Sequence, residues 1–168
     1  MLAPSNATLA SMTTLRVATF NVLCGHMFGP DLWSARRPLL RRSVHEAGPD
    51  ILGLQEVLPS KLEDVAEMLA PLTLVPGPAT GPALFDVRPG HSERNRAGEH
   101  LPIAYRADQF ELSEAGGFWI SSSPERPGSI RPQAWTPFLV HWARLQPRDG
   151  SEPLLFMNAH FGHAPWHH

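Results

Sequence analysis

The stretch Pro49-Asp50-Ile51-Leu52-Gly53-Leu54-Gln55-Glu56-Val57 constrains this chain more than any other. Ile51 to Leu54 is an apolar run with no polar alternation, punctuated by Gly48-Pro49 before it and Pro59-Ser60 after it. A short run of this kind suits a strand covered on both faces, the setting of a sheet with parallel pairing and helices packed over it. The run stops in Gln55 and Glu56. A carboxylate at the C-terminal lip of such a strand stands where open α/β sheets place their ligands. Taken without its neighbours, Glu56 could equally open an ordinary solvated loop.

The neighbours alternate in period. Residues 15–22 contain Val17, Thr19 and Phe20, types that favour a pleated setting, and the strand ends at Asn21. A loop holding Cys24-Gly25-His26 and Phe28-Gly29-Pro30 leads to a helix predicted over 38–47. Leu40, Val44 and Ala47 would share its apolar face, with Pro38 in the first turn. Ser60-Lys61-Leu62-Glu63 has the form of a capping box, and Leu62, Val65 and Leu69 give the next helix its stripe before Pro71. This β-α-β-α order makes the two strands parallel neighbours in a mixed sheet.

Residues 75–99, rich in Pro, Gly and Arg, form a long loop of the functional or mobile kind. Further strands are predicted over 101–106, 118–120, 138–145 and 154–159. The last is again a buried run, with Asn158 and His160 at its tip.

Composition sets the outer limits. A length of 168 residues suits one domain with a real core, and 18 prolines argue against a helical bundle. A net charge of −2 gives no overall case for nucleic acid, although Arg36, Arg37, Arg41 and Arg42 form a local basic group, as do Arg88, Arg94 and Arg96. The single Cys24 excludes an intrachain disulfide and fits a reducing compartment. Residues 1–14 lack the pattern of a secretory signal and read as a disordered extension. No run approaches the ~18 apolar residues of a membrane span, so a cytoplasmic protein is expected.

Three strands thus end in polar tips: Asn21, Gln55-Glu56, and Asn158 with His160. If the first two strands are parallel, Asn21 and Glu56 face one crevice. A carboxylate and an amide are hard oxygen ligands that suit Mg²⁺. His160 could donate to a phosphoryl oxygen. The plainer readings are that Asn21 caps a turn and His160 is a hydrogen-bonded surface histidine.

The ordered segments RVATFNVL (16–23), PDILGLQEV (49–57), GEHLPIAYRADQFEL (98–112), GGFWISSSPERPGS (116–129) and HWARL (141–145) leading to FMNAHFGH (156–163) resemble the endonuclease/exonuclease/phosphatase superfamily. These are the deoxyribonuclease-like, metal-dependent phosphoesterases. The resemblance covers residues 15–163, leaving 164–168 as a tail. It implies an α/β (α+β) fold, a four-layer α/β/β/α sandwich of two mixed sheets. It implies hydrolysis of a phosphoester with Mg²⁺, or Mn²⁺ in its place. Glu56 would hold the metal with Asn21 as partner, and His160 and Asn21 would be catalytic. Asn158 and His100 would contact substrate. Trp33 with Arg36, and Glu99 with His100, match subgroup patterns.

The chain also departs from the family. Gly162 stands where the Asn-x-His-x-Asp pattern has its Asp, and Phe138 stands where an arginine is usual. The family's Gly-Asp-x-Asn motif and terminal Asp-His pair, which position and activate the attacking water, have no counterpart. The expectation is therefore a truncated domain, inactive or incomplete by itself, that needs its C-terminal half. The alternatives are a non-catalytic metal-binding module built on His160, His163, His167 and His168, or an interaction module that completes its sheets by strand addition.

Overall fold

A computed structural model describes residues 14–23, 31–81, 98–132, 134 and 136–161. Strands β1 (Val17–Asn21) and β2 (Ile51–Gln55) are joined by helix α1 (Asp31–Ala47). A 3-10 turn (Pro59–Lys61) and helix α2 (Leu62–Leu69) follow, then β3 (Thr73–Val75) and β4 (Ile103–Tyr105). The chain continues through β5 (Phe110–Trp119), β6 (Leu139–Pro147) and β7 (Leu154–Ala159).

β1 and β2 pair parallel, from Val17 against Ile51 to Asn21 against Gln55. β4 pairs antiparallel with β2 and β3, so the first sheet is mixed, in the order β1-β2-β4-β3. The second sheet, β5-β6-β7, is antiparallel throughout, not mixed as expected. The β6–β7 link, residues 148–153, is too short for a crossover, and the described residues between β5 and β6 hold no helix that could make one.

Every residue of β2 is buried, because both of its faces are covered. Leu52 and Leu54 point to the helices, among Trp33, Leu40, Val44, Val65, Met68 and Leu69. Ile51 points the other way, to Ile103, Tyr105, Phe110, Ala143 and Leu145 between the sheets. The described layers are thus helices, mixed sheet, antiparallel sheet. No helix among the described residues covers the far face of the second sheet, where Leu155 and Met157 are half exposed. Among the described residues no helix is long and apolar enough to cross a membrane.

Helix α1 begins seven residues before the predicted start, so Pro38 lies inside it and not in its first turn. An interior proline costs about 3 kcal/mol. The stripe Trp33, Leu40, Val44, all buried, runs through that position and offsets the cost, while Ala47 at the end is exposed. Trp33 also donates Nε1–H to Asp64 at 2.9 Å, tying α1 to α2. Gly48, with φ +53°, ends α1 by donating its N–H to the Val44 carbonyl. α2 starts at Leu62 with Lys61 in the cap position and no side-chain capping bond there. The proposed box at Ser60 and Glu63 therefore straddles the 3-10 turn.

His141 on β6 is fully buried in the inter-sheet layer. Its Nδ1–H donates to the Leu101 carbonyl at 2.8 Å, and its Nε2 has no hydrogen-bond partner among the described residues. Burial lowers its pKa from the ordinary 6.5, against the raising effect of the Leu101 bond. The folded state therefore disfavours the proton that the unfolded chain accepts below 6.5. Stability contributed by the neutral ring is present above that pH and declines as pH falls below it. In His141→Asn the amide N–H can take over the bond to Leu101 without titrating. Thermal melts between pH 8 and 5 should show a shallower acid limb for the variant than for the wild type; parallel curves would contradict this assignment.

Candidate active site

Because β1 and β2 are parallel, their C-terminal ends meet at one edge of the sandwich. Asn21 closes β1 there. Its Oδ1 accepts the Leu23 N–H at 2.8 Å, an Asx turn, and this fixes the amide so that Nδ2–H points across to Glu56 Oε1 at 2.7 Å. Glu56 follows β2 with φ +61°, a left-handed backbone that costs a non-glycine residue on the order of 1 kcal/mol or more. Such strain persists where the surroundings over-determine it and often marks functional positions.

His160 comes one residue after β7 and enters the same place. Its Nε2 lies 3.7 Å from Glu56 Oε1 and 3.5 Å from Asn21 Nδ2. Its Nδ1 lies 3.9 Å from Glu99 Oε2. The imidazole is thus flanked by two carboxylates. Its pKa is raised, first by the hydrogen bond to Glu99 and then by the charges of Glu56 and Glu99, against the opposing effect of burial. All three side chains remain partly open to solvent, as a site that admits a ligand requires.

Glu99 reaches the cluster through the bridge of His100 with Val57, just beyond β2. Gly98 makes the approach possible: at φ +90° a Cβ there would lie 2.2 Å from the Gly81 carbonyl oxygen. The Gly-Glu pair was the available signal for Glu99, which the sequence reading carried only as a subgroup match.

Asn21, Glu56 and His160, expected together, are together. Asn21 presents N–H to the cluster, and the amide oxygen expected to meet the metal accepts the Leu23 N–H. Asn158, expected to contact substrate, is 4% exposed and bonded on all sides by protein. His100 donates Nδ1–H to the Gly77 carbonyl at 3.0 Å, and burial lowers its pKa. Trp33 is a core residue, and Arg36 lies half exposed on α1. Gly162, His163, His167 and His168 lie outside the described residues, as do Arg88, Arg94 and Arg96. Among the described residues no group of three or more His, Cys, Asp or Glu side chains is arranged to hold a metal ion unaided.

The fold is that of the endonuclease/exonuclease/phosphatase superfamily. The chain is similar to an endonuclease/exonuclease/phosphatase family protein from Bacteroides thetaiotaomicron, at 28% identity and a TM-score of 0.74, over 91% of this chain and 51% of that one. It is also similar to the Bacteroides thetaiotaomicron mannosyl-6-phosphatase (28%, TM-score 0.73, 91% and 54%) and to an endonuclease/exonuclease/phosphatase from Bacteroides vulgatus (24%, 0.72, 89% and 53%). The chain spans about half the length of these proteins. No family model matches the sequence, and no curated protein does.

The raised pKa of His160 implies a stabilisation present below 6.5 and lost as pH rises through the folded-state value. In the metal-free protein, Glu99→Gln should lower the His160 titration midpoint seen by NMR. An unmoved midpoint would remove Glu99 as its principal partner.

Proposed function

We propose that this chain presents the metal- and phosphate-binding side of a Mg²⁺-dependent phosphoester hydrolase. The observation that carries this reading is the meeting of Glu56 and His160, 3.7 Å apart, at the C-terminal edge of β1 and β2. Mg²⁺ is commonly held by one or two carboxylates and completes its shell with water and substrate phosphate. Glu56 suits that mode: it is a partly exposed hard-oxygen donor aimed by Asn21. When bound, the ion supplies positive charge that polarises a phosphoryl oxygen.

The chain's own residues supply the rest. Asn21 Nδ2–H holds the carboxylate in place and can donate to an incoming anionic oxygen. Glu99, 3.9 Å from Nδ1 of His160, favours the protonated ring. Protonated His160 directs its Nε2–H toward the space beside Glu56, where a phosphoryl oxygen would gather charge in the transition state. A phosphate ester, mono- or diester, is the substrate class these groups recognise. Hydrolysis of a sugar phosphate, as the mannosyl-6-phosphatase is named for, falls within it.

Calorimetry can separate the two halves of this assignment. Glu56→Gln should reduce Mg²⁺ binding to below detection. His160→Ala should leave Mg²⁺ binding intact and weaken Mg²⁺-dependent binding of inorganic phosphate roughly tenfold or more, the scale of one charge-assisted hydrogen bond. Unchanged Mg²⁺ affinity in Glu56→Gln would contradict the reading.

A further inference from the structure

Behind the exposed cluster lies a buried polar brace between the two sheets. Asn158, on β7 of the second sheet, inserts its amide against β2 of the first. Its Nδ2, with two hydrogens, lies against three carbonyls, donating to Leu54 at 2.7 Å and sharing its second hydrogen between Leu101 at 3.0 Å and Pro102 at 3.1 Å. Its Oδ1 accepts Gln55 Nε2–H at 2.7 Å, and the same Gln55 amide donates to Thr19 on β1 at 2.9 Å. Gly53 admits the asparagine: a Cβ there would lie 2.9 Å from the Asn158 side chain.

Gln55 is therefore held at both ends. Its side chain is fixed by β1 and β7, and its carbonyl accepts the Val22 N–H at 3.1 Å. The next residue is Glu56, left-handed and turned toward Asn21. On the other leg, His160 stands two residues beyond Asn158, on the same side of the strand by the period of two.

We infer that Gln55 and Asn158 are positioning residues: their bond, one residue behind Glu56 and two behind His160, sets the separation and orientation of the carboxylate and the imidazole across the two sheets. Loss of the Gln55–Asn158 bond loosens the Glu56 turn, because among the described residues Asn158 is the partner that ties the Gln55 amide to β7. This inference rests on the reading of Glu56 as the metal-binding carboxylate. A purely structural role would lower stability alone. A positioning role also moves the geometry and the affinity of a site that neither residue touches.

The test compares the full chain with Gln55→Met, which is nearly isosteric, removes the Gln55 bonds to Asn158 and Thr19 and leaves the carbonyl partners of Asn158 Nδ2 in place. It also includes Asn158→Ala, and Thr19→Val, which removes the Thr19 bond alone and should leave both readouts unchanged. Two readouts are taken at a temperature where each protein is folded by circular dichroism: Mg²⁺ affinity, and the HN–Hα coupling of Glu56 with its contacts to the His160 ring by NMR. Gln55→Met should weaken Mg²⁺ binding about tenfold or more, the scale of lost outer-shell support, and change the Glu56 coupling. Wild-type affinity and coupling in Gln55→Met would overturn the inference, whether or not Asn158→Ala folds. If the wild type binds no Mg²⁺, the functional reading fails. The coupling and the ring contacts then decide the brace alone: altered in Gln55→Met they support it, unaltered they overturn it.

Discussion

The parallel pairing of β1 with β2 is the constraint on which the rest depends. Parallel neighbours need a crossover, which α1 supplies; the helices cover one face of β2 and the second sheet covers the other. The same pairing sends two C-terminal ends to one edge, Asn21 opposite Gln55. An antiparallel pair would have sent Asn21 and Glu56 to opposite ends of the sheet. The left-handed turn at Glu56, the Asx turn at Asn21 and the arrival of His160 are local adjustments within a placement that the pairing has already made.

The electrostatic consequence is a compact alternation of charge. Glu56 and Glu99 flank His160 on its two nitrogens, so the ring tends to the charged form while its carboxylate neighbours stay partly open to solvent. A phosphate ester is anionic, and neither carboxylate invites it unaided. Under the proposed function, a cation at Glu56 and a proton on His160 would reverse the sign of the site seen by that substrate. Asn21 adds a neutral donor whose orientation is fixed by the Leu23 bond and not by the ligand. The attraction for phosphate that the proposal requires would be local, in a chain whose net charge of −2 offers no long-range field for polyanions.

What the sequence disclosed and what it hid divide along physical lines. β2 was legible because a short apolar run closed by polar residues has few other homes. β7 spans the predicted residues, but the expected burial of its apolar run fails, since Leu155 and Met157 face away from the first sheet and are half exposed. The α2 stripe was legible because its spacing fits one helical face. β5 was mostly hidden: Phe110–Trp119 carries Glu111, Glu114 and two adjacent glycines, and its ten-residue length comes from pairing with β6. Gly116 lies against the Trp142 ring, a close approach that one strand's composition cannot announce. Pro38 hid the first half of α1, since the burial of Trp33 outweighs a local rule. Within the site, residue type and strand tip gave Asn21, Glu56 and His160. The meeting of Asn21 with Glu56 and the burial of Asn158 against Gln55 join residues 35 and 103 positions apart, which no local pattern announces.

The most direct measurement is diffraction from crystals of the chain grown with Mn²⁺ and inorganic phosphate, recorded at the manganese absorption edge. The account expects one anomalous peak about 2.1 Å from a Glu56 carboxylate oxygen, with phosphate bridging from the ion toward His160 Nε2. A metal bound away from Glu56, or phosphate held elsewhere with this edge of the sandwich empty, would contradict it.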